Sequence, residues 1–314
     1  MTDQELDPAT TTSDGDRPAI RPEVVSRLRG FVRRRPVVSV LLVFNTLGQA
    51  VALVPVVAYL GFGVQLDAEA ILIIPTLLFL LGPALVVTRI AWGREGLRRL
   101  LRQMVAFRVR ARWYVFAFLV LPGVTVAMHW AAPPGGWDLG ALLRAYVLGF
   151  GGSLLFNFLT TNWWEETFWT GAVQAPLQQR FGPLRAVLIT TPLFVLEHAT
   201  LVLPGSVLGG GWSTLLTLLV IAPFVRAALG YVYNRTGSLA MVGLLHAASN
   251  AVGFGLMMRL YGVGGEGLLP LIAFGLVATI ATRGRLGLTK APDLEGRHSL
   301  HAAVTADPSE KSER

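Results

Sequence analysis

The sequence predicts an all-α, polytopic transmembrane helical bundle of about eight spans, and three observations carry that expectation. Only 15% of the 314 residues are charged while 53% are hydrophobic, whereas a soluble domain averages about 25% charged. The mean hydropathy is +0.55. The charges are also unevenly spread: long uncharged runs alternate with clusters of arginine, the pattern of spans separated by topology signals.

A helix that crosses the hydrocarbon core needs about 20 mostly apolar residues. Eight runs qualify: 36–62, 71–92, 112–131, 141–168, 185–203, 213–232, 239–258 and 267–282. Residues 1–35 are polar and basic and end in Arg33-Arg34-Arg35, so they read as a disordered or surface-bound tail. The first run follows this tail without a small-residue cleavage site, which predicts a retained span rather than a signal peptide. The next loop carries Asp67 and Glu69 and no base, whereas the loop after the second span holds Arg94, Arg98, Arg99, Arg102, Arg108, Arg110 and Arg112. The third loop, 133–136, is uncharged and is followed by Asp138. Arg180 and Arg185 follow the fourth span, Arg235 the sixth, and Arg283 and Arg285 the eighth; Arg144 and Arg259 are the two departures. Positive charge collects on the cytoplasmic side, so both termini are expected inside.

The membrane block 36–284 reads as one domain without an internal repeat, and 285–314 as a polar, disordered cytoplasmic tail. The net charge of +8 does not point to nucleic acid, because the arginines sit between apolar runs rather than on one soluble face. They suit membrane lipids as neighbours. The absence of cysteine excludes disulfides, thiolate nucleophiles and cysteine-rich metal sites. Gly209 to Gly211 precede no Lys-Ser/Thr and read as a turn rather than a phosphate loop.

Ionisable side chains inside spans are costly and mark functional sites by default. Spans four to seven contain Glu165, Glu166, Glu197, His198, Arg226, His246 and Asn250. Glu165 and Glu166 lie in the run Trp163-Trp164-Glu165-Glu166-Thr167, where two desolvated carboxylates repel each other, a setting that suits a general base. His198 lies about 20 Å past Arg185 at 1.5 Å per helical residue. Glu197 points about 100° away from it on a helix and need not share its site. His246 and Asn250 are four apart and share a helical face. The clusters are expected to converge in one cavity, in the cytoplasmic half and open toward the cytoplasm.

A carboxylate beside a histidine can deprotonate water, and a second histidine with an asparagine can donate hydrogen bonds to an oxyanion. That inventory suits amide hydrolysis without a covalent intermediate. It equally suits a zinc site with an open position, built from Glu165, His198 and His246.

The pattern resembles the CPBP intramembrane proteases, which include the type II CAAX prenyl endopeptidases and the bacteriocin-processing and self-immunity (Abi) proteins. Their motifs are EExxxR, FxxxH and HxxxN or HxxxD on successive helices. This chain has Glu165-Glu166, then Phe194 and His198, then His246 and Asn250, and the run Tyr233-Asn234-Arg235-Thr236-Gly237-Ser238-Leu239 also resembles the family. The resemblance covers about 160–255, within a core of 141–258. It implies that Glu165 activates water with His198, that His246 and Asn250 stabilise the oxyanion, and that Glu166 supports the site electrostatically. The family has been described both as metal-dependent and as metal-free.

One departure stands out. The motif arginine is Thr170 here, one helical turn beyond Glu166. Arg226 reads as an unpaired intramembrane cation and is the candidate to take over its role. The expected function is therefore an intramembrane endopeptidase of the cell membrane, acting on a membrane-bound or lipidated, CAAX-like peptide. The alternatives are a non-catalytic scaffold or immunity protein whose site has decayed, and a proton-coupled transporter, which would be expected to show inverted repeats.

Overall fold

The computed structural model describes residues 22–128, 138–208, 210–262 and 266–288. The loop 133–136 and the tails 1–21 and 289–314 lie outside the described residues. Within them the chain is helical and contains no strand, as a backbone in lipid requires: each N–H and C=O must find a partner inside its own segment.

The helices are α1 (Pro22–Arg34), α2 (Pro36–Phe62), α3 (Ala70–Met104), α4 (Ala111–Met128), α5 (Leu139–Phe181), α6 (Pro183–Glu197), α7 (Gly211–Thr236), α8 (Leu239–Tyr261) and α9 (Leu269–Ala281). Six of them, α2 to α5, α7 and α8, are long and apolar enough to cross a membrane. The chain is thus an all-α polytopic bundle. The fifth and eighth expected spans are shorter, at 15 and 13 residues. At 1.5 Å per residue they reach about 22 and 20 Å, less than the roughly 30 Å hydrocarbon core.

Several boundaries differ from the sequence reading for local reasons. Residues 22–34, counted with the polar tail, form a helix that packs on α3. The arginine-rich loop after span two is itself helical to Met104. It turns off at Gly93, whose φ of 69° and ψ of −164° are open to glycine and strained for other residues. The fourth helix runs past the expected end at 168 to Phe181. The fifth stops at Glu197 instead of 203, and turns carry the chain from His198 back toward the bundle. The start of the C-terminal tail is tied down as well: Asn234 Nδ2 donates to the Leu286 carbonyl at 2.9 Å, and Leu286 is fully buried.

Helix α8 is the axis of the molecule. In its most apolar stretch 89% of residues are buried, against 22–44% in the other five long helices. Its start is fixed by the Thr-Gly-Ser turn that the sequence singled out. Ser238 accepts from Met241 N at 2.9 Å and donates to the Ala106 carbonyl at 2.6 Å. Further along, Gly243 lets α8 approach α5 closely; a Cβ there would lie 2.8 Å from Trp163 Cα. That contact brings His246, one turn on, beside Glu165 and Glu166.

Candidate active site

Glu165 and Glu166 are neighbours in sequence with different surroundings. Glu166 is fully buried. Its carboxylate accepts from Arg226 Nη1 at 2.9 and 3.0 Å, from His246 Nδ1 at 2.9 Å, and from the Thr170 hydroxyl. Glu166, Thr170 and Gln174 recur every fourth residue of α5 and so share a face, and Arg226 of α7 meets all three. Its Nη2 donates to Thr170 Oγ1 at 2.9 Å and to Gln174 Oε1 at 2.8 Å, and its Nε donates to Gln174 Oε1 at 3.1 Å. Arg226 is therefore not the unpaired cation that the sequence suggested. Thr170 leaves room for a guanidinium arriving from α7 and is bonded to both members of the pair.

The Arg226 guanidinium also lies 5.6 Å from the centre of the Phe194 ring, within cation–π range. The same ring is 4.7 Å from His198 and 6.4 Å from His246. Phe194 thus lies beside both imidazoles, and its carbonyl also fixes one of them: His198 Nδ1 lies 2.9 Å from Phe194 O. A carbonyl oxygen can only accept, so Nδ1 carries the proton and Nε2 keeps a lone pair.

Glu165 is less enclosed, with 14% of its side chain exposed. It lines a cavity of about 410 Å³ together with Glu197, His198 and Asn250. Asn162 Nδ2 donates to Glu165 Oε2 at 2.9 Å, and Asn250 Nδ2 donates to Asn162 Oδ1 at 3.2 Å. His246 does not line the cavity. Its Nδ1 stands 3.8 Å from Glu165 Oε2, behind the carboxylate that does. All the residues singled out from the three motifs are accordingly brought into one contiguous cluster, in two layers.

Four members of that cluster were not assigned to the site from the sequence. Asn162 and Gln174 are ordinary amides in an apolar run, although the 166–170–174 spacing was visible. Glu197 was set aside on the 100° rotation of a regular helix, yet α6 ends at Glu197, where that rotation no longer applies. It lines the same cavity as His198, and the Trp169 indole N–H donates to its carboxylate. Gln49 holds the turn from α2: its Nε2 donates to Glu197 O at 3.0 Å, and its Oε1 accepts from Thr200 Oγ1 at 2.8 Å.

Glu165, His198 and His246 do not fit a metal as they stand. Among the described residues no group of three or more His, Asp or Glu has the arrangement to hold one. With their Nδ1 atoms committed to Phe194 O and Glu166, the two histidines offer only Nε2, and His246 does not line the cavity that Glu165 and His198 share.

A membrane-spanning helical bundle with Glu165, His198 and Asn250 on an internal cavity, and Glu166 and His246 behind them, carries the side chains of acid–base chemistry. Residues 149–252 match the family model described as type II CAAX prenyl endopeptidase, Rce1-like. That segment includes all three motifs and Arg226, and the resemblance they carry is borne out by this match. No curated protein and no solved structure was found to match the chain.

Proposed function

We propose that this protein is an intramembrane endopeptidase of the glutamate type, hydrolysing a peptide bond in a membrane-anchored or lipidated substrate. The observation that carries the reading is the division between the two carboxylates: Glu165 reaches the cavity beside His198 and Asn250, while Glu166 is held by Arg226.

In this reading a water bound between Glu165 and His198 loses a proton to Glu165, and its oxygen attacks the scissile carbonyl carbon. The Asn250 amide, which lines the cavity, donates to the oxyanion. His246 does not line the cavity; committed through Nδ1 to Glu166, it stands behind Glu165, and as imidazolium it would bring Glu165, Glu166, Arg226 and itself to zero net charge. The proton taken up by Glu165 is then delivered to the departing amine nitrogen as the C–N bond breaks. Losing one oxyanion donor costs about 10²–10³ in rate. The non-catalytic reading drew on Thr170; with Arg226 bonded to Glu166, that argument loses its ground.

The test is cleavage of lipidated and membrane-anchored peptides by protein reconstituted in liposomes, with and without a chelator. Glu165→Gln is expected to lose about 10²–10⁴ in rate, with no effect of the chelator on the wild type. A folded wild type that cuts nothing, or a Glu165→Gln variant that cuts normally, would overturn the proposal.

A further inference from the structure

The cavity lies to one side of the site. Its wall is built from Gln49 in α2, Leu72 near the start of α3, Thr160 on the α5 stretch before Glu165, and Phe254 on the α8 stretch after Asn250. Leu201 and Leu208, in the segment after His198, complete it. Phe156, Val207, Leu208 and Phe254 are exposed at its rim. On the opposite side the site is closed: Phe168, Trp169, Thr170, Val173 and Arg226 are at most 1% exposed. Phe168 and Trp169 pack edge to face, as do Trp169 and Phe194.

The arginines are divided the same way, with the opposite sense. Arg33 to Arg35 precede α2, and Arg94 to Arg112 lie between the body of α3 and the start of α4. Arg180 and Arg185 flank the α5–α6 turn, Arg235 ends α7, and Arg283 and Arg285 follow α9. Every one of these lies at the closed side. At the other end of the helices the charged residues in the described stretches are Asp67, Glu69, Asp138, Arg144, Arg259 and Glu266. Asp138 N-caps α5 and lies 3.8 Å from Arg144. An excess of arginine marks the cytoplasmic side. The depth of Glu165, His198 and His246 from the arginine ends, which suggested a cytoplasmic opening, locates the catalytic layer but not the side of it that is hollow.

We propose that the cavity opens to the extracytoplasmic half of the bilayer, and that its substrates are peptides whose anchor or apolar flank lies in that half. The substrate class rests on the proteolytic reading; the side of the opening does not. The walls suit such a ligand, because Phe44, Leu72, Leu80 and Leu201 offer an apolar lining while Glu165, Glu197, His198 and Asn250 are polar.

The chain contains no cysteine, so single-cysteine variants report one position each. Leu208→Cys at the rim and Arg108→Cys at the arginine side would be treated in intact cells, then in permeabilised ones, with a charged, membrane-impermeant maleimide. The expected result is a full gel shift of Leu208→Cys in intact cells, with Arg108→Cys shifting only after permeabilisation. A shift of Leu208→Cys only after permeabilisation, or in neither condition while Arg108→Cys reacts as expected, would overturn the proposal. The labelling reads the side of the opening whether or not any peptide is cut, and the Glu165→Gln rate tests the proteolytic reading separately.

Discussion

Two carboxylates joined by a single peptide bond occupy opposite kinds of environment in this molecule. Glu166 faces α7 and α8 and is saturated by Arg226, Thr170 and His246, with no exposed surface. Glu165 faces the cavity, is bonded to Asn162, and keeps part of its surface open. A rotation of about 100° per helical residue is enough to separate the two. The buried carboxylate and guanidinium form a frame, and the open carboxylate is left to act. A charge with no partner in so enclosed a place is far more costly than one beside a cavity, so substitutions in the two regions are expected to differ in kind.

The largest effect is expected at Arg226. Arg226→Ala would strand the Glu166 charge, and breaking a buried pair in this way costs about 3–5 kcal/mol. Thermal unfolding in detergent would show a large fall in Tm together with loss of cleavage. Adding Thr170→Arg restores a guanidinium one turn from Glu166, at the family's own position, in the space that Arg226 vacates. Partial recovery of Tm in the double variant would sharpen the comparison; no recovery would show that the guanidinium must come from α7. Next comes Trp169→Phe, which removes the indole N–H that Glu197 accepts. A buried acceptor left unsatisfied costs about 1–3 kcal/mol, read as a lower denaturation midpoint with the frame around Arg226 intact. The smallest effect belongs to Gln49→Ala. It removes the bonds to Glu197 O and Thr200 and is expected to cost about 1 kcal/mol. A loss as large as that of Arg226→Ala would mean that the turn after α6, not the ion pair, carries the stability of the site.

The sequence made much of this legible because its signals are local. Apolar runs bounded by arginines located the long helices, and the spacings 194–198 and 246–250 pointed to residues that the fold gathers in one cluster. Arg226 stood out as a charge in an apolar helix, but its partner is 60 residues away on α5, and no local spacing encodes that contact. The Thr170 departure was readable as a missing charge. Its compensation by a smaller side chain that admits Arg226 was not, because it depends on how α5 and α7 pack. Glu197 was lost through the assumption of a continuous helix from 185 to 203. The direction of the cavity was beyond sequence reasoning for a similar reason: depth follows from residue counts, but which side of a layer is hollow depends on the bulk of Phe168, Trp169 and Phe194 packed together.

The division between the two glutamates can be measured without knowing the substrate, by thermal unfolding of purified Glu165→Gln and Glu166→Gln beside the wild type in the same detergent. Glu166→Gln removes the charge that Arg226 and His246 face and is expected to lower Tm substantially, whereas Glu165→Gln, which strands no buried guanidinium and can still accept from Asn162 through its amide oxygen, should lower it far less. Equal shifts for the two variants, or a larger fall for Glu165→Gln, would contradict the account.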